Sequence, residues 1–533
     1  MSGAEPGEPQ VGGLEPRDPL SEVGPLRALA STARDTRAVV VGGGVGGLVA
    51  ALEFAKIGMT VTVLEAAERA GGVVRAAEVA GLRLDVGAES FATRGGGVRA
   101  LVDELGLADA VVTPASHGAW VAGLPGGAAA PLPKGGVLGI PDNPFDPAVR
   151  RIIGWGGVWR AYLDRLRPPL TIGHDRSLGH LVRSRMGAPV LDRLVAPVTG
   201  GVYSARPDDI DVDIAAPGLN AALTRAGSLT GAVAQLRDGR DVAPGGAVAG
   251  LEGGMTRLVD ALLARLAELG AEVRTDSPVT AVEHGEDDGW TVRVAGEEPA
   301  LQEPARQEES APQEPAEPHE PAGRYGVPAD VVVVAVPEAS ARGLLVPVVP
   351  ALDPHPAPAP VVEIVTLVLA ASALDAHPRG NGVLTVPHSS AAKALTHATA
   401  KWEWVARAAG DGVHVVRVSF GAQDEAPATA GLDDEAAGAL ALREASALLG
   451  VALEPAQLRG AHRERYVQSQ PGSVIGRPAA VAAARGAIRA VPGLGAVGAW
   501  LSGTGLAQVV PDAAAEADRV RRAVLWRTPG SQV

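Results

Sequence analysis

The chain has 533 residues, of which 46% are hydrophobic, 20% charged and 3% aromatic, and it contains no cysteine. The hydrophobic fraction is large enough for the cores of a multidomain enzyme. Without cysteine there are no disulfides, thiolate metal sites or cysteinyl cofactor linkages. A net charge of −14 argues against nucleic acid as a partner.

The N-terminal region has no cationic segment followed by an apolar one, so we expect no secretory signal and a cytoplasmic location. Every run of about 18 residues contains Gly, Pro or a charge, which predicts that no helix spans a membrane. Peripheral contact with a membrane stays open, because periodicity alone does not locate a surface patch. The lone histidines show no metal-ligand spacing, so we predict no metal site.

In chain order, residues 1–36 come first and are rich in Gly, Pro and Glu without periodicity, which predicts a disordered tail. A second segment of this kind covers residues 297–323, where eight glutamates stand against Arg306. Such a segment cannot bury a core, so we predict a solvated acidic insertion.

Residues 37–65 carry the clearest local pattern in the chain. An apolar strand at 38–41 runs into a Gly-rich turn, a helix follows to Ile57, and a second strand at 59–64 ends at Glu65. This order is typical of a βαβ dinucleotide-binding unit, in which the helix N-terminus faces a pyrophosphate. Glu65 is placed to accept hydrogen bonds from an adenosine ribose, and its charge disfavours a 2′-phosphate. The pattern predicts FAD or NAD, bound at the turn by Gly42, Gly43, Gly44, Val45, Gly46 and Gly47.

Two further motifs distinguish between these cofactors. Glu65 begins an E-x-x-x-R-x-G-G turn, and the segment Gly87-Ala88-Glu89-Ser90 follows a short hairpin. Both resemble the FAD-dependent superfamily of amine oxidases, phytoene desaturases and protoporphyrinogen oxidases, so the resemblance implies non-covalent FAD. It also implies that the cofactor is bound by Glu65, Ala66, Arg69, Gly71, Gly72, Val73, Gly87, Ala88, Glu89, Ser90, Val279, Trp500, Gly503, Gln508, Val509 and Val510. For Trp500, which precedes the C-terminal glycine turn, core packing is the alternative role.

The remaining elements predict an α/β fold with a discontinuous, Rossmann-like FAD-binding domain. We expect this domain to comprise residues 37–100, 245–345 and 478–533, with a strand pair formed by 290–294 and 331–336. An α+β substrate domain with a helical subdomain is expected from residues 101–244 and 346–477. Apolar strands at 361–370 and 413–420 would form its sheet. A Gly-rich turn and a helix near Ala507 would return the chain to the cofactor.

Four segments narrow the resemblance: 132–141, 192–219, 393–402 and 497–510. Together they resemble the oxygen-dependent protoporphyrinogen and coproporphyrinogen III oxidases of bacterial haem synthesis, and the strongest motif is L-x-x-P-x-x-x-G-V-Y-S. The resemblance implies that a porphyrinogen loses six electrons in two-electron steps, with O₂ reduced to H₂O₂. In this family the cofactor supplies the redox chemistry, so no catalytic triad is expected. Coproporphyrinogen III is the favoured substrate, and transient contact with the next haem-synthesis enzyme is a further expectation.

Candidate substrate residues follow from the four carboxylates of coproporphyrinogen. Arg94, directly after the Gly87–Ser90 segment, is the leading anchor, and a solvated loop arginine is its alternative. Arg477 stands where related enzymes often have histidine and is a second candidate anchor. Tyr203 either lines the pocket or packs between turns. Lys401 is expected to have a structural role.

Other functions remain open at this point. Protoporphyrinogen IX is the alternative substrate. An amine oxidase or a carotenoid desaturase is an alternative in the same superfamily, although the 3% aromatic content is low for an amine-binding aromatic cage. A non-catalytic flavoprotein is the alternative from a different class.

Overall fold

A computed structural model describes residues 23–167, 176–237, 248–287, 289–296, 324–469 and 471–526. The acidic segment 297–323 therefore lies outside the described residues. The strands of the described chain are β1 (Arg37–Val41), β2 (Thr60–Leu64), β3 (Ala76–Val79), β4 (Leu82–Asp85), β5 (Phe91–Ala92), β6 (Val111–Val112), β7 (Ala119–Leu124), β8 (Ala128–Pro131), β9 (Gly136–Val137), β10 (Ile140–Pro141), β11 (Val248–Leu251), β12 (Glu272–Arg274), β13 (Val279–His284), β14 (Trp290–Ala295), β15 (Arg324–Ala329), β16 (Val331–Val334), β17 (Val361–Ala370), β18 (Gly382–Thr385), β19 (Ala394–His397), β20 (Val413–Phe420), β21 (Leu458–Val467) and β22 (Leu494–Ala496).

The α-helices of the described chain are α1 (Val23–Asp35), α2 (Val45–Ala55), α3 (Gly97–Glu104), α4 (Pro147–Tyr162), α5 (Leu178–Met186), α6 (Ala188–Val190), α7 (Ala196–Val198), α8 (Val212–Ala215), α9 (Leu219–Ala226), α10 (Leu229–Arg237), α11 (Thr256–Glu268), α12 (Glu338–Leu345), α13 (Ala398–Lys401), α14 (Glu403–Ala409), α15 (Asp434–Leu449), α16 (Arg477–Arg489), α17 (Ala499–Ser502) and α18 (Leu506–Leu525). Two π-helical turns, Leu191–Val195 and Thr199–Tyr203, flank α7.

A five-stranded parallel sheet in the order β12-β2-β1-β16-β22 forms the first structural unit. Its central strands are nearly continuous runs of buried valine, as expected of a parallel sheet that is covered on both faces. On one face α2, α11 and α18 contribute to the core, and α12, α16 and Trp290 cover the other face. The predicted β1-α2-β2 unit is confirmed, and the sheet unites strands from distant parts of the chain. The domain limits themselves remain predictions.

The predicted pairing of 290–294 with 331–336 is wrong. β14 pairs with β13 and β15 in a separate antiparallel sheet, whereas β16 pairs with β1 and β22 in the parallel sheet. The burial patterns explain the difference. β14 alternates between buried and half-buried residues, but all four valines of β16 are buried.

The prediction of disorder for residues 1–36 is also wrong for residues 23–35. Residues 1–22 lie outside the described chain, but residues 23–35 form α1. Ala33 is buried against the first core, and the main-chain N–H of Thr36 donates to the carbonyl of Ala33. The small residues of this segment gave no strong apolar period, so tertiary packing rather than pattern determines this helix.

A seven-stranded sheet forms the second structural unit, in the order β21-β17-β20-β19-β18-β7-β8. The predicted strands at 361–370 and 413–420 are confirmed as β17 and β20, which are antiparallel neighbours. One face of this sheet packs against α15. The opposite face carries the β3–β4 hairpin of the first unit at one end.

The helices from α4 to α10 form a third unit around their own core. They follow the helical patterns expected for residues 101–244, although β7 and β8 from this range join the second sheet. Among the described helices, none is both long and apolar enough to cross a membrane.

Candidate functional site

The glycine turn between β1 and α2 lies at the carboxyl end of the central parallel strand, where open α/β sheets bind ligands. A Cβ atom on Gly47 would lie 2.0 Å from the Gly42 carbonyl oxygen, so only glycine allows this approach of helix and strand. Gly42 also has a φ of 108°, which favours glycine. A Cβ on Gly44, in contrast, would meet no protein atom within 4 Å. The open space therefore lies at the N-terminus of α2, where a pyrophosphate fits.

Glu65 lies at the end of β2, beside this turn. One carboxylate oxygen accepts from the Gly43 N–H at 2.7 Å, and the other accepts from the Ala67 N–H at 2.9 Å. A carboxylate offers about four acceptor positions, so lone pairs remain for the hydroxyls of a ribose. This position agrees with the expected role of Glu65, and the neighbouring Ala66 is exposed.

The Arg-Gly-Gly turn packs directly on the glycine turn. The Gly71 N–H donates to the Gly43 carbonyl at 2.8 Å, and a Cβ on Gly72 would lie 3.3 Å from the Gly44 Cα. The Arg69 side chain is 82% exposed, and Val73 is 54% exposed. Two motifs that are separated in sequence thus form one surface around the open space at Gly44.

The C-terminal turn closes the same surface from the other end of the chain. A Cβ on Gly46 would lie 3.0 Å from the side chain of Val509 and 3.8 Å from the Gly498 Cα. Gln508 is exposed and its amide packs on the backbone of Gly503, while Val510 is buried in the first core. The structure therefore brings α18 next to α2, as the sequence predicts.

Two predicted cofactor residues lie elsewhere. The Trp500 side chain is 2% exposed and packs in the core on the other face of the parallel sheet, which supports its alternative role in core packing. Val279 begins β13 and is half-buried against that core.

Gly87 begins the segment that leads from the first unit to the second. A Cβ at Gly87 would lie 2.0 Å from the Val73 carbonyl oxygen and 2.7 Å from the Tyr466 hydroxyl. The Ala88 N–H donates to the same carbonyl at 2.9 Å, and Ser90 is half-buried. The backbone here passes through a gap that admits only glycine.

The carboxylate of Glu89 is held by two cations from the second sheet and its connection. It accepts from Lys401 Nζ at 2.5 Å and from Arg417 Nη1 at 2.7 Å, and Arg417 Nη2 donates to the Gly87 carbonyl at 2.5 Å. Burial alone would raise the pKa of Glu89, but the charges of Lys401 and Arg417 outweigh it and lower the pKa to about 2. Glu89 is therefore charged at neutral pH, and its side chain joins the two units rather than facing open space. We call Glu89, Lys401 and Arg417 the buried ion triad.

Asp85 lies next to the buried ion triad. Burial raises the pKa of its carboxyl to about 6, against the opposing hydrogen bond from the Met255 N–H at 3.0 Å. Three buried polar atoms in this neighbourhood have no hydrogen-bond partner among the described residues: Arg417 Nε, Tyr466 Oη and Trp402 Nε1. Unsatisfied donors of this kind are typical of a site that a polar group completes.

A row of half-buried side chains covers the sheet beyond Arg417, and four of the six are small. Residues directly opposite each other in paired strands share a face, so the registers place these side chains on the face of Arg417. All of them are half-buried, unlike their buried neighbours nearer the hairpin. At the far end, a Cβ on Gly201 in the second π-helical turn would lie 2.5 Å from Leu384 Cδ2. We call this surface the flat sheet face; it comprises Ile364, Gly382, Leu384, Ala394, Thr396 and Ser419.

The candidate substrate residues have different outcomes. Arg94 is exposed in the loop between β5 and α3 and has no ion pair among the described residues, so its role stays a prediction. The side chain of Tyr203 lies outside the described residues. Arg477 does not fit a carboxylate anchor, because it is 5% exposed and donates to the Glu338 carboxylate at 2.8 Å and to the Trp500 carbonyl at 2.7 Å. Arg477, the first residue of α16, instead pairs with the buried carboxylate of Glu338.

Sequence reasoning missed Arg417 and a histidine cluster. Arg417 is the one charged Lys, Arg, Asp or Glu residue inside the apolar strand VHVVRVSF. Because charges are rarely buried without a partner, this position indicates an ion pair inside the protein. His397 is not isolated: its ring lies 3.2 Å from His414, which contacts Asp375 at 2.9 Å. Burial lowers the pKa of His397 to about 3. No group of three or more potential ligands has metal-binding geometry among the described residues.

Comparison with known proteins agrees with this geometry. The family model described as "Flavin containing amine oxidoreductase" matches residues 45–524, and that of "Pyridine nucleotide-disulphide oxidoreductase" matches residues 2–80. The chain belongs to the flavin-containing amine oxidoreductase family. It is therefore a flavin-dependent oxidoreductase, and its cofactor is FAD.

Its curated relatives indicate the group within that family. The chain is 31% identical to the coproporphyrinogen III oxidase of Mycobacterium tuberculosis (88% of this chain, 93% of the relative), and 28% identical to that of Propionibacterium freudenreichii (92% of each). A crystal structure of a candidate protoporphyrinogen oxidase from Exiguobacterium has the same fold, with a TM-score of 0.74, 23% identity and coverage of 91% and 99%. Putrescine oxidase is a more distant structural neighbour, with a TM-score of 0.57 and 17% identity.

The open space at Gly44 leads to a first prediction. In Gly44→Ala the added methyl group occupies this space without touching the protein, and the φ of −67° at this position suits alanine. We expect a folded protein whose affinity for FAD falls at least about tenfold, or about 1.4 kcal/mol. FAD titration followed by flavin fluorescence measures this. The matched control is Gly486→Ala in α16, where a Cβ is also free of contacts; equal losses in both variants would contradict the prediction.

The buried ion triad leads to a second prediction. Glu89→Gln leaves two buried cations without a counter-charge, which we expect to lower the free energy of unfolding at pH 7 by about 3 kcal/mol. Because the pKa of Glu89 is lowered, its stabilising effect is complete above the ordinary glutamate pKa and is lost as the pH falls towards 2. Urea unfolding measures the change. The control is Glu252→Gln, whose pair with Arg407 is half exposed and should change stability by about 0.5 kcal/mol at most. Similar small changes in the two variants would show that the triad is not stabilising.

Proposed function

We propose that the protein oxidises coproporphyrinogen III to coproporphyrin III with O₂ as the electron acceptor. The porphyrinogen loses six electrons and six protons as three pairs of each, and three O₂ become three H₂O₂. The names of the curated relatives support this substrate.

The flat sheet face is the observation that carries the proposal. A porphyrinogen macrocycle is broad, and a half-buried sheet face on which four of six side chains are small offers it a large contact surface. This face extends from Arg417 of the buried ion triad to Gly201 of the second π-helical turn. The segment 192–204, which includes that turn, also carries the most specific motif of the resemblance.

Bound FAD supplies the acceptor for the hydride that leaves the macrocycle. The protein's own residues contribute position and charge. The glycine turns and Glu65 would hold the dinucleotide, and the buried ion triad would fix the Gly87–Ser90 backbone between cofactor and sheet.

Arg94 is proposed to bind a substrate carboxylate. It is an exposed guanidinium four residues beyond Ser90, with no internal partner among the described residues. A planar guanidinium suits bidentate binding of a propionate. Arg477 is not part of this proposal.

Substrate preference tests the proposed function. We expect purified protein with bound FAD to convert coproporphyrinogen III to fluorescent coproporphyrin III with a kcat/KM at least about tenfold higher than for protoporphyrinogen IX, because four carboxylates offer more anchors than two. Porphyrin fluorescence and peroxide are measured together. A reversed preference would overturn the coproporphyrinogen assignment, and flavin binding without turnover of either substrate would favour the non-catalytic alternative.

A bulky residue on the flat sheet face tests where the substrate binds. Phenylalanine suits a β-strand, so Ala394→Phe should fold and bind FAD but lower kcat/KM for coproporphyrinogen III at least about tenfold by raising the face under the macrocycle. The control is Ala281→Phe, at a half-buried position of β13 in the separate antiparallel sheet. Unchanged kinetics in Ala394→Phe would remove this face from the substrate site.

A further inference from the structure

Lys393 is a half-buried lysine without a counter-charge. The chain contains four lysines, and their surroundings differ. Lys56 and Lys401 each pair with a glutamate, and Lys134 is exposed to solvent. Lys393 is half-buried and has no ion pair within the part of the chain that the structure describes. Because an ammonium group is rarely withdrawn from water without a partner, this position indicates a ligand of opposite charge.

The hydroxyl of Ser204 orients the Lys393 ammonium. Lys393 Nζ donates to Ser204 Oγ at 2.7 Å, and this is its only hydrogen bond to the described residues. Ser204 is buried, and its main-chain carbonyl accepts from the Gln423 N–H at 3.1 Å, so the hydroxyl has a fixed position. An ammonium has three N–H donors, and two of them remain for a ligand. A neutral hydroxyl thus positions the ammonium without neutralising it.

This ammonium lies at the far end of the flat sheet face. Lys393 directly precedes Ala394, which belongs to that face. Ser204 directly follows the second π-helical turn, whose Gly201 packs against Leu384 of the same face. The contact between Lys393 and Ser204 therefore brings a cation to the edge of the proposed substrate surface. Ser204 is also the last residue of the motif L-x-x-P-x-x-x-G-V-Y-S.

We propose that Lys393 binds a substrate carboxylate and selects for macrocycles that carry carboxylates on opposite sides. This inference rests on the proposed function. Arg94, the other proposed anchor, follows the Gly87–Ser90 segment of the first unit, whereas Lys393 lies beside the second π-helical turn. Protoporphyrinogen IX carries two propionates on adjacent pyrrole rings, so its carboxylates reach one side only. Coproporphyrinogen III carries one propionate on each of its four rings and reaches both anchors. Ser204 is a positioning residue, because it acts through Lys393.

The charge of Lys393 depends on pH near neutrality. Burial lowers the pKa of Lys393 to about 8, and the charge of Glu425 only partly opposes this shift. Glu425 is exposed in the loop after β20, and the turn on the other side contributes the neutral hydroxyl of Ser204. Propionates stay charged in this range, since carboxyl groups titrate near pH 4. Lys393 therefore loses its charge as the pH rises through about 8, which weakens the binding of a carboxylate.

Porphyrin binding tests the proposal with the full-length protein and bound FAD. Coproporphyrin III and mesoporphyrin IX are stable probes with four and two propionates, and quenching of their fluorescence measures affinity without turnover. Lys393→Met keeps the length of the side chain but removes its charge. We expect it to lower the affinity for coproporphyrin III at least about tenfold at pH 7, and that for mesoporphyrin IX less than about threefold. Lys393→Arg keeps a cation and should retain more affinity than Lys393→Met.

Two further measurements separate substrate binding from a purely structural role. In the original protein the affinity for coproporphyrin III should fall as the pH rises through about 8, and Lys393→Met should lack this step. Ser204→Ala should lower the affinity about threefold in the original protein but not in Lys393→Met, because the hydroxyl acts through the ammonium. A constant affinity from about pH 7 to about pH 9 in the original protein would overturn the proposal without the need for any variant.

Lys56→Met is the matched control, because Lys56 follows α2 in the first unit and pairs with Glu53 and Glu104. Its affinity for both porphyrins should equal that of the original protein. Equal losses for the two porphyrins in Lys393→Met would overturn the selective role of Lys393. Unchanged affinity in Lys393→Met, with turnover of coproporphyrinogen III intact, would overturn the inference and leave the proposed function standing. If the original protein neither bound coproporphyrin III nor oxidised its porphyrinogen, both would be overturned.

Discussion

The buried contact of Glu89 with Lys401 and Arg417 is the constraint on which the arrangement of the molecule depends. The partners lie 312 and 328 residues apart in sequence, and they join the turn after the first hairpin to the second sheet. Taking such charges from water is costly unless all of them are paired, so the contact is stable only when both units have their native positions. It therefore fixes the flat sheet face relative to the dinucleotide turns.

The dinucleotide surface depends on close backbone approaches rather than on reactive side chains. Gly47 and Gly87 each lie where a Cβ would collide with a carbonyl oxygen, whereas Gly44 faces open space. These two kinds of glycine have different roles. Gly47 and Gly87 allow the chain to pack closely, and Gly44 leaves room for a ligand. This distinction agrees with a redox enzyme whose cofactor supplies the chemistry and whose protein supplies position.

The flat sheet face occupies a defined place between the two units. It lies between the buried ion triad and the second π-helical turn, and its half-buried side chains leave a broad part of the sheet only partly covered. Its position depends on the triad, because Arg417 stands at one end of this face and pairs with Glu89 of the first unit.

The sequence by itself determined the βαβ unit, the cofactor class and the strands at 361–370 and 413–420, because these depend on local periodicity and on glycine positions. Tertiary structure decided the rest. The all-valine strand β16 joined the parallel sheet rather than its neighbour β14, and α1 formed where the composition predicted disorder. Arg477 turned inward to Glu338, and Arg417 became the partner of Glu89. Each outcome depends on which distant group compensates a buried charge or covers an apolar face, and periodicity along one chain does not encode that choice.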